Sequence, residues 1–103
     1  MIINLITRHF DPSVDLVELA RRRAGFAFAR FGDLVRAIDI RLSDVNGPRG
    51  GLGISCLARV QLARGRVLVA ESAATSPEAG ISQVVDRLAG QLRRLASRQQ
   101  HRH

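Results

Sequence analysis

Several residue types are scarce or absent in this chain, and each absence limits what the protein can be. The 103 residues include no Lys, no Trp, no Tyr and one Cys, Cys56. A single cysteine excludes an intramolecular disulfide and fits a reducing compartment. No apolar run is long enough to cross a bilayer, and "MIINLITRHF" has neither the basic start nor the cleavage site of a signal peptide. The sequence therefore predicts a cytoplasmic protein with no membrane partner.

The charge that is present is mostly positive. All 16 basic residues are Arg, and against 9 acidic residues they give a formal net charge of +7. Such an excess predicts a partner of opposite charge. Guanidinium groups bind phosphate through two parallel hydrogen bonds. The charge thus favours a nucleic acid over an anionic membrane surface or an acidic protein.

Alternation and capping residues predict six elements. Strands are expected at 2–8, 35–43, 54–62 and 67–72, a first helix from Pro12 or Ser13 to Phe31, and a second from Pro77, capped by Thr75 or Ser76, to about Arg98. The glycine-rich segment 44–53 is expected to be a hairpin loop. The order β-α-β-β-β-α predicts an α+β fold, with two helices packed on one face of a four-stranded sheet. We expect a single domain over 1–98 and a frayed tail over 99–103.

One flank of the second helix carries arginines at helical spacing. The apolar stripe consists of Ile81, Val84, Val85, Leu88, Leu92 and Leu95. At about 100° per residue, Arg87, Arg94 and Arg98 lie together about 110° from that stripe, with Gln83 and Gln91 close by. This flank is suited to binding phosphate groups. The alternative is an ordinary solvated face.

The first helix has a similar flank. Arg22, Arg23 and Arg30 are interleaved there with Leu19 and Phe26, and Phe26 lies outside the main apolar stripe. A Phe among arginines is a candidate to stack on an RNA base, and the alternative is that it covers the edge of the core or the partner helix. If the helices pack side by side, the two flanks are expected to form one positive surface.

Candidates for catalysis or metal binding are weak. Cys56 alternates with core positions of its strand and is expected to be buried. His9, His101 and His103 lack metal-ligand spacing. Arg49 in "NGPRGG" lies in a loop between two strands, a context that favours a plain turn over a phosphate cradle. We therefore expect no enzymatic activity, no metal and no cofactor.

The pattern as a whole resembles a known family. The order of elements, the opening "INLITR", the strand "VRAIDIRLS", the segment "LSDVNGPRGG" followed by Cys56 and "RVQL", and above all "ISQVVDRLAGQLRRL" are similar to the ribosome hibernation promoting factor and ribosome-associated inhibitor family. The resemblance covers nearly the whole chain. It is carried by hydrophobic spacing and charge rather than by an invariant signature.

The resemblance implies a function in translation. It implies a cytosolic bacterial protein that binds the small ribosomal subunit between head and body and silences idle ribosomes. By position, the family's rRNA contacts fall on Arg8, Arg23, Arg87 and Arg94. The chain is similar to the short form, without the C-terminal domain by which long members pair ribosomes.

The chain departs from the family at two points. It reads "SPEAG", with Glu78 where the family commonly has Tyr, and it has Gly90 where a third basic residue often stands. Both departures remove expected rRNA contacts, and Gly90 costs the helix about 1 kcal/mol relative to Ala. Ribosome binding weaker than the family's, or a different RNA target, is therefore expected.

Two other hypotheses remain open. A self-associating or protein-interaction module would use the sheet face away from the helices, where Leu57 and Leu68 are expected beside Arg59. A stand-alone double-stranded RNA-binding domain also packs helices on one side of a sheet, but it begins with a helix. The leading hypothesis is a non-enzymatic rRNA-binding factor that occludes the decoding region, with Arg8, Arg22, Arg23, Arg30, Arg87, Arg94 and Arg98 as contacts.

Overall fold

A computed structural model describes residues 1–44 and 53–100 of the chain, with side chains described through residue 98. The predicted order of elements is confirmed. The elements are β1 (Ile2–Arg8), α1 (Val14–Phe28), β2 (Val35–Asp44), β3 (Ile54–Leu62), β4 (Val67–Ala74) and α2 (Pro77–Gln100). Most of the loop predicted over 44–53, including Arg49, lies outside the described residues, as does the tail over 101–103.

The four strands form one sheet in the order β1-β2-β3-β4. β1 runs parallel to β2, and the other neighbours are antiparallel. A parallel pair needs a crossover connection, which α1 supplies. Both helices pack on the same face, α1 mainly against β1 and β2, and α2 against β3 and β4. This confirms the predicted α+β architecture.

Side-chain caps start both helices where the sequence places them. The Ser13 hydroxyl accepts a hydrogen bond from the Leu16 amide at 3.0 Å, and the Ser76 hydroxyl accepts one from the Ala79 amide at 3.2 Å. Each bond satisfies an amide that has no partner within its helix. The second cap is therefore Ser76 and not Thr75.

The first helix ends earlier than predicted. α1 stops at Phe28, and a 3-10 turn over Ala29–Phe31 follows it. The Gly32 amide donates to the Ala29 carbonyl at 3.2 Å, a three-residue spacing that tightens the last turn. The turn brings Phe31 into the core, so the apolar position is as predicted although the helix type is not.

The core lies between the sheet and the helices. β2 contributes Ile38, Ile40 and Leu42, which alternate with outward-facing residues as predicted. Cys56 is also buried, and burial raises the pKa of its thiol to about 12. α2 crosses the sheet closely at Gly80, where an added Cβ would lie 3.3 Å from the Cβ of Cys56.

One predicted orientation is wrong. Leu68 pairs with the buried Val60 and lies on the helix-covered face, packed against the core, whereas Leu57 does face outward beside Arg59. The first three residues of β4 are all apolar, so their pattern does not show which of them face inward. On the uncovered face the apolar positions of β4 are Val67 and Val69.

Candidate nucleic-acid interface

The arginine flank of α2 lies at the free edge of the sheet. The Arg87 guanidinium donates a hydrogen bond to the Glu71 carbonyl, and the Gln91 amide group donates one to the Val69 carbonyl at 3.2 Å. Both carbonyls belong to β4, which is an edge strand. Four residues of a helix rise about 6 Å, close to the roughly 6.8 Å between alternate residues of a strand. The spacing of Arg87 and Gln91 therefore matches two successive free carbonyls of β4.

A second feature on the same flank is a cleft lined by three arginine residues. Arg94 and Arg98 of α2 and Arg66 at the start of β4 line a cleft of about 130 Å³. Its other described lining residues are Leu68, Gln91 and Leu95, so no described acidic residue lines it. Three cations around a small concave site favour the binding of an anion the size of a phosphate group.

Arg66 is a site residue that the sequence analysis missed. It lies in the β3–β4 hairpin, where the Leu62 amide donates to the Arg66 carbonyl at 2.8 Å and Gly65 adopts a φ of 87°. A glycine between two arginines in "ARGR" indicates a tight turn with a basic tip. That local signal did not show that the hairpin approaches the end of α2.

The flank of α1 presents exposed arginines around an exposed aromatic ring. Arg22, Arg23 and Arg30 are exposed, and Phe26 is 88% exposed. The alternative in which Phe26 covers the edge of the core is therefore wrong. The Arg30 guanidinium lies 5.4 Å from the centre of the Phe31 ring, a cation–π contact that helps to position it.

Arg30 of α1 and Arg94 of α2 lie on different sides of α2. Arg30 and Ala96 line one cleft, which shows that the Ala96 side of α2 faces the end of α1. Ala96 follows Arg94 by two residues, about 200° around the helix. Arg94 therefore points away from α1, toward β4. Arg30 therefore lies beside one side of α2 and Arg94 on the other, and the expected single positive surface stays a prediction.

Arg8 is separate from both flanks. Alternate residues of β1 are exposed, and Arg8 lies on the sheet face that carries no helix. Arg41 of β2 lines a cleft with Arg8 on that face. A single RNA strand lying across the helices therefore does not reach Arg8.

Within the described residues, no group of three or more His, Cys, Asp or Glu side chains is placed to hold a metal ion. The Cys56 thiol is buried and its pKa is raised, so it is protonated at neutral pH and is a poor nucleophile. In the same ranges, no helix combines the length and the apolar character needed to span a bilayer.

The fold and the exposed arginines together define a class of basic α+β domain. The fold is a four-stranded α+β domain with exposed arginines on both helices. Residues 3–100 match the family described as sigma 54 modulation protein / S30EA ribosomal protein. The chain belongs to this ribosome-associated family, which confirms the resemblance inferred from the sequence.

Two solved structures share the fold. The N-terminal domain of Protein Y from Thermus thermophilus is 23% identical, with a TM-score of 0.74, over 92% of this chain and 99% of that one. A ribosomal subunit interface protein from Coxiella burnetii is 20% identical, also with a TM-score of 0.74, over 94% of this chain and 99% of that one. No curated protein sequence matches the chain.

Proposed function

We propose that this chain is a non-enzymatic rRNA-binding factor that docks on the small ribosomal subunit near the decoding region and inhibits translation or stabilises idle ribosomes. Membership of a ribosome-associated family supports the ribosome as the partner and the cytoplasm as the location. The convergence of Arg66, Arg94 and Arg98 on one cleft carries the RNA part of the proposal. Guanidinium groups held around a small cleft fit a backbone phosphate.

The α1 flank is the second contact in this proposal. Arg22, Arg23 and Arg30 bind backbone phosphates, and Phe26 stacks on an unpaired base between them. An aromatic side chain that is 88% exposed gains favourable burial when a base covers it. Because Arg30 and Arg94 lie on different sides of α2, the RNA contacts are made by two separate segments.

Gly90 has no side chain, and the side chains of two neighbouring arginines extend over it. A Cβ at Gly90 would lie 3.6 Å from a terminal nitrogen of Arg94 and 3.7 Å from one of Arg93. Both guanidinium groups thus reach back over the position where the family often has a basic residue. In this proposal Arg94 covers part of the surface that a third basic residue would otherwise supply.

Sedimentation with ribosomes over a series of salt concentrations tests the proposal. Wild-type protein is expected to co-sediment at low salt and to dissociate as salt rises, because RNA binding releases counterions. Changing Arg94→Gln together with Arg98→Gln removes two phosphate contacts and is expected to reduce the log–log salt slope by about two units. Folding is expected to change by no more than about 0.5 kcal/mol, since both residues are exposed.

The matched control changes Arg41→Gln together with Arg59→Gln, which removes the same charge from the uncovered sheet face. This variant is expected to keep nearly the wild-type affinity and slope. Equal effects of the two double variants would show that net charge alone drives binding. Failure of the wild type to sediment at low salt would contradict ribosome binding altogether.

Self-association is a second candidate function, favoured by the uncovered sheet face. Ile2, Val67 and Val69 are 63%, 38% and 46% exposed there. Burying them against a second copy would remove apolar surface from water. Light scattering that shows a dimer in the absence of RNA, with no sedimentation on ribosomes, would favour this function over rRNA binding.

A further inference from the structure

The uncovered face of the sheet carries a cleft that the proposed rRNA contacts do not use. Its volume is about 430 Å³, and its lining includes Ile6, Arg8, Arg41, Ser43, Ser55 and Leu57. It lies near the ends of β1 and β2 and the start of β3. The sheet separates it from the helices, so it is a different site from the α2 cleft.

The strand register places unlike groups side by side in this cleft. One row across the sheet consists of Ile6, Arg41 and Leu57, and the adjacent row consists of Arg8, Ser43 and Ser55. Adjacent strands are about 4.8 Å apart, and alternate residues of a strand about 6.8 Å. Arg8 is therefore a diagonal neighbour of Arg41, and both residues line the cleft.

Neither guanidinium group is neutralised by another described residue. Among the described residues, no hydrogen bond or ion pair involves Arg8 or Arg41, and no acidic residue lines the cleft. The nearby Asp39 accepts a hydrogen bond from the Asn4 side chain at 2.9 Å. Two unpaired cations side by side repel each other, and an anion between them relieves that repulsion.

The shape and the apolar lining indicate what kind of anion fits. The cleft is more than three times as large as the α2 cleft, at about 430 Å³ against about 130 Å³. It falls within the size range of small-molecule sites, about 300–1,000 Å³. Ile6, which is 42% exposed, and Leu57 offer an apolar wall beside the cations. A ligand with one anionic end and a flat or apolar body would contact both the arginines and the apolar wall.

We infer that this cleft binds a free nucleotide-sized phosphate ester. The phosphate lies between Arg8 and Arg41 and accepts hydrogen bonds from the hydroxyl groups of Ser43 and Ser55. The base packs on Ile6 and Leu57. The inference does not depend on rRNA binding, because the two sites are on opposite faces of the sheet.

Nuclear magnetic resonance titration of the full chain with AMP tests the inference. Amide signals of residues lining the cleft, Ser43, Ser55 and Leu57 among them, are expected to shift, whereas those around Arg94 are not. Inorganic phosphate and adenosine are expected to bind more weakly than AMP, since each makes half of the contacts. Arg41→Gln is expected to weaken AMP binding about tenfold, as loss of a charge-assisted pair would.

Arg59→Gln is the matched control, because it removes one charge from the same face without touching the cleft. It is expected to change AMP affinity by less than about twofold. The inference is overturned if Arg41→Gln binds AMP like the wild type, or if AMP shifts the α2 signals as much as those of the cleft. Equal affinity for phosphate or adenosine alone would also overturn it. A short oligouridylate that binds the cleft more tightly than AMP would identify the ligand as RNA instead of a free nucleotide.

Discussion

At the scale of single residues, Cys56 is the group whose chemistry the fold changes most. Its side chain is 1% exposed, and it faces the close approach of α2 at Gly80. Transfer of a thiolate into this apolar setting is unfavourable, so the fold favours the protonated thiol. The folded pKa of about 12 lies above the ordinary value of 9.0.

This shift predicts both reactivity and pH dependence. In the native protein the thiol is expected to resist an aromatic disulfide reagent at neutral pH and to react only when the chain unfolds. Because the folded pKa is raised, the stabilisation is complete below pH 9.0 and is lost as pH rises toward about 12. Urea unfolding at several pH values measures it.

Cys56→Ala provides the control for this prediction, because it removes the titrating group. The loss of stability between neutral and alkaline pH is expected to be smaller in this variant than in the wild type. Rapid labelling of the folded wild type at neutral pH would contradict the assignment of Cys56 as a buried core residue.

At the scale of elements, the contact between α2 and β4 explains part of the alignment of arginines. An edge strand exposes unpaired backbone groups that invite pairing with another chain. Arg87 and Gln91 donate to two of those carbonyls, at Glu71 and Val69. The flank therefore has a structural contact at Arg87 and Gln91 and an open cationic cleft at Arg94 and Arg98.

Substitutions of Arg87 and of Arg94 are accordingly expected to differ in their effects on stability and on ribosome binding. Arg87→Met removes a hydrogen bond and is expected to lower the free energy of unfolding by about 0.5–1.5 kcal/mol and to increase association through β4. Arg94→Met is expected to leave stability within about 0.5 kcal/mol and to weaken ribosome sedimentation more. Urea unfolding, light scattering and sedimentation give the readouts. Equal stabilities of the two variants would show that the contact with β4 contributes nothing.

At the scale of the whole molecule, the excess positive charge lowers the stability of the fold and strengthens binding to RNA. The chain has 16 basic and 9 acidic residues, and arginines are exposed on both helices. Repulsion among them opposes the folded state, and salt screens that repulsion. Binding to RNA, in contrast, is weakened by salt.

We therefore expect the thermal midpoint to rise as NaCl increases from about 50 mM to about 500 mM, a range over which the Debye length falls severalfold. Over the same range, the sedimented fraction on ribosomes is expected to fall. Circular dichroism follows the first quantity and sedimentation the second. A midpoint that falls with salt would show that surface attractions outweigh repulsion, and it would contradict this account of the charge.

The sequence by itself determined the features that depend on near neighbours. The helix starts could be predicted to within a residue or two, at Pro12 or Ser13 and after Thr75 or Ser76, since a cap hydroxyl bonds an amide three residues later. The inward face of β2 and β3 followed from strict alternation, and the family followed from hydrophobic spacing along the whole chain. The candidate arginines of both helices were found because a helix groups residues at a known angle.

The tertiary structure decided everything that requires two distant segments to meet. It turned Leu68 toward the helices and brought Arg66 of the β3–β4 hairpin to Arg94 and Arg98. It also placed Arg87 where its guanidinium donates a hydrogen bond to the edge strand β4. It further placed Arg30 and Arg94 on different sides of α2 and brought Arg8 and Arg41 to one cleft on the opposite face of the sheet. Periodicity within one helix or strand gives the direction of a side chain about the axis of that element. Only packing decides which neighbour lies in that direction.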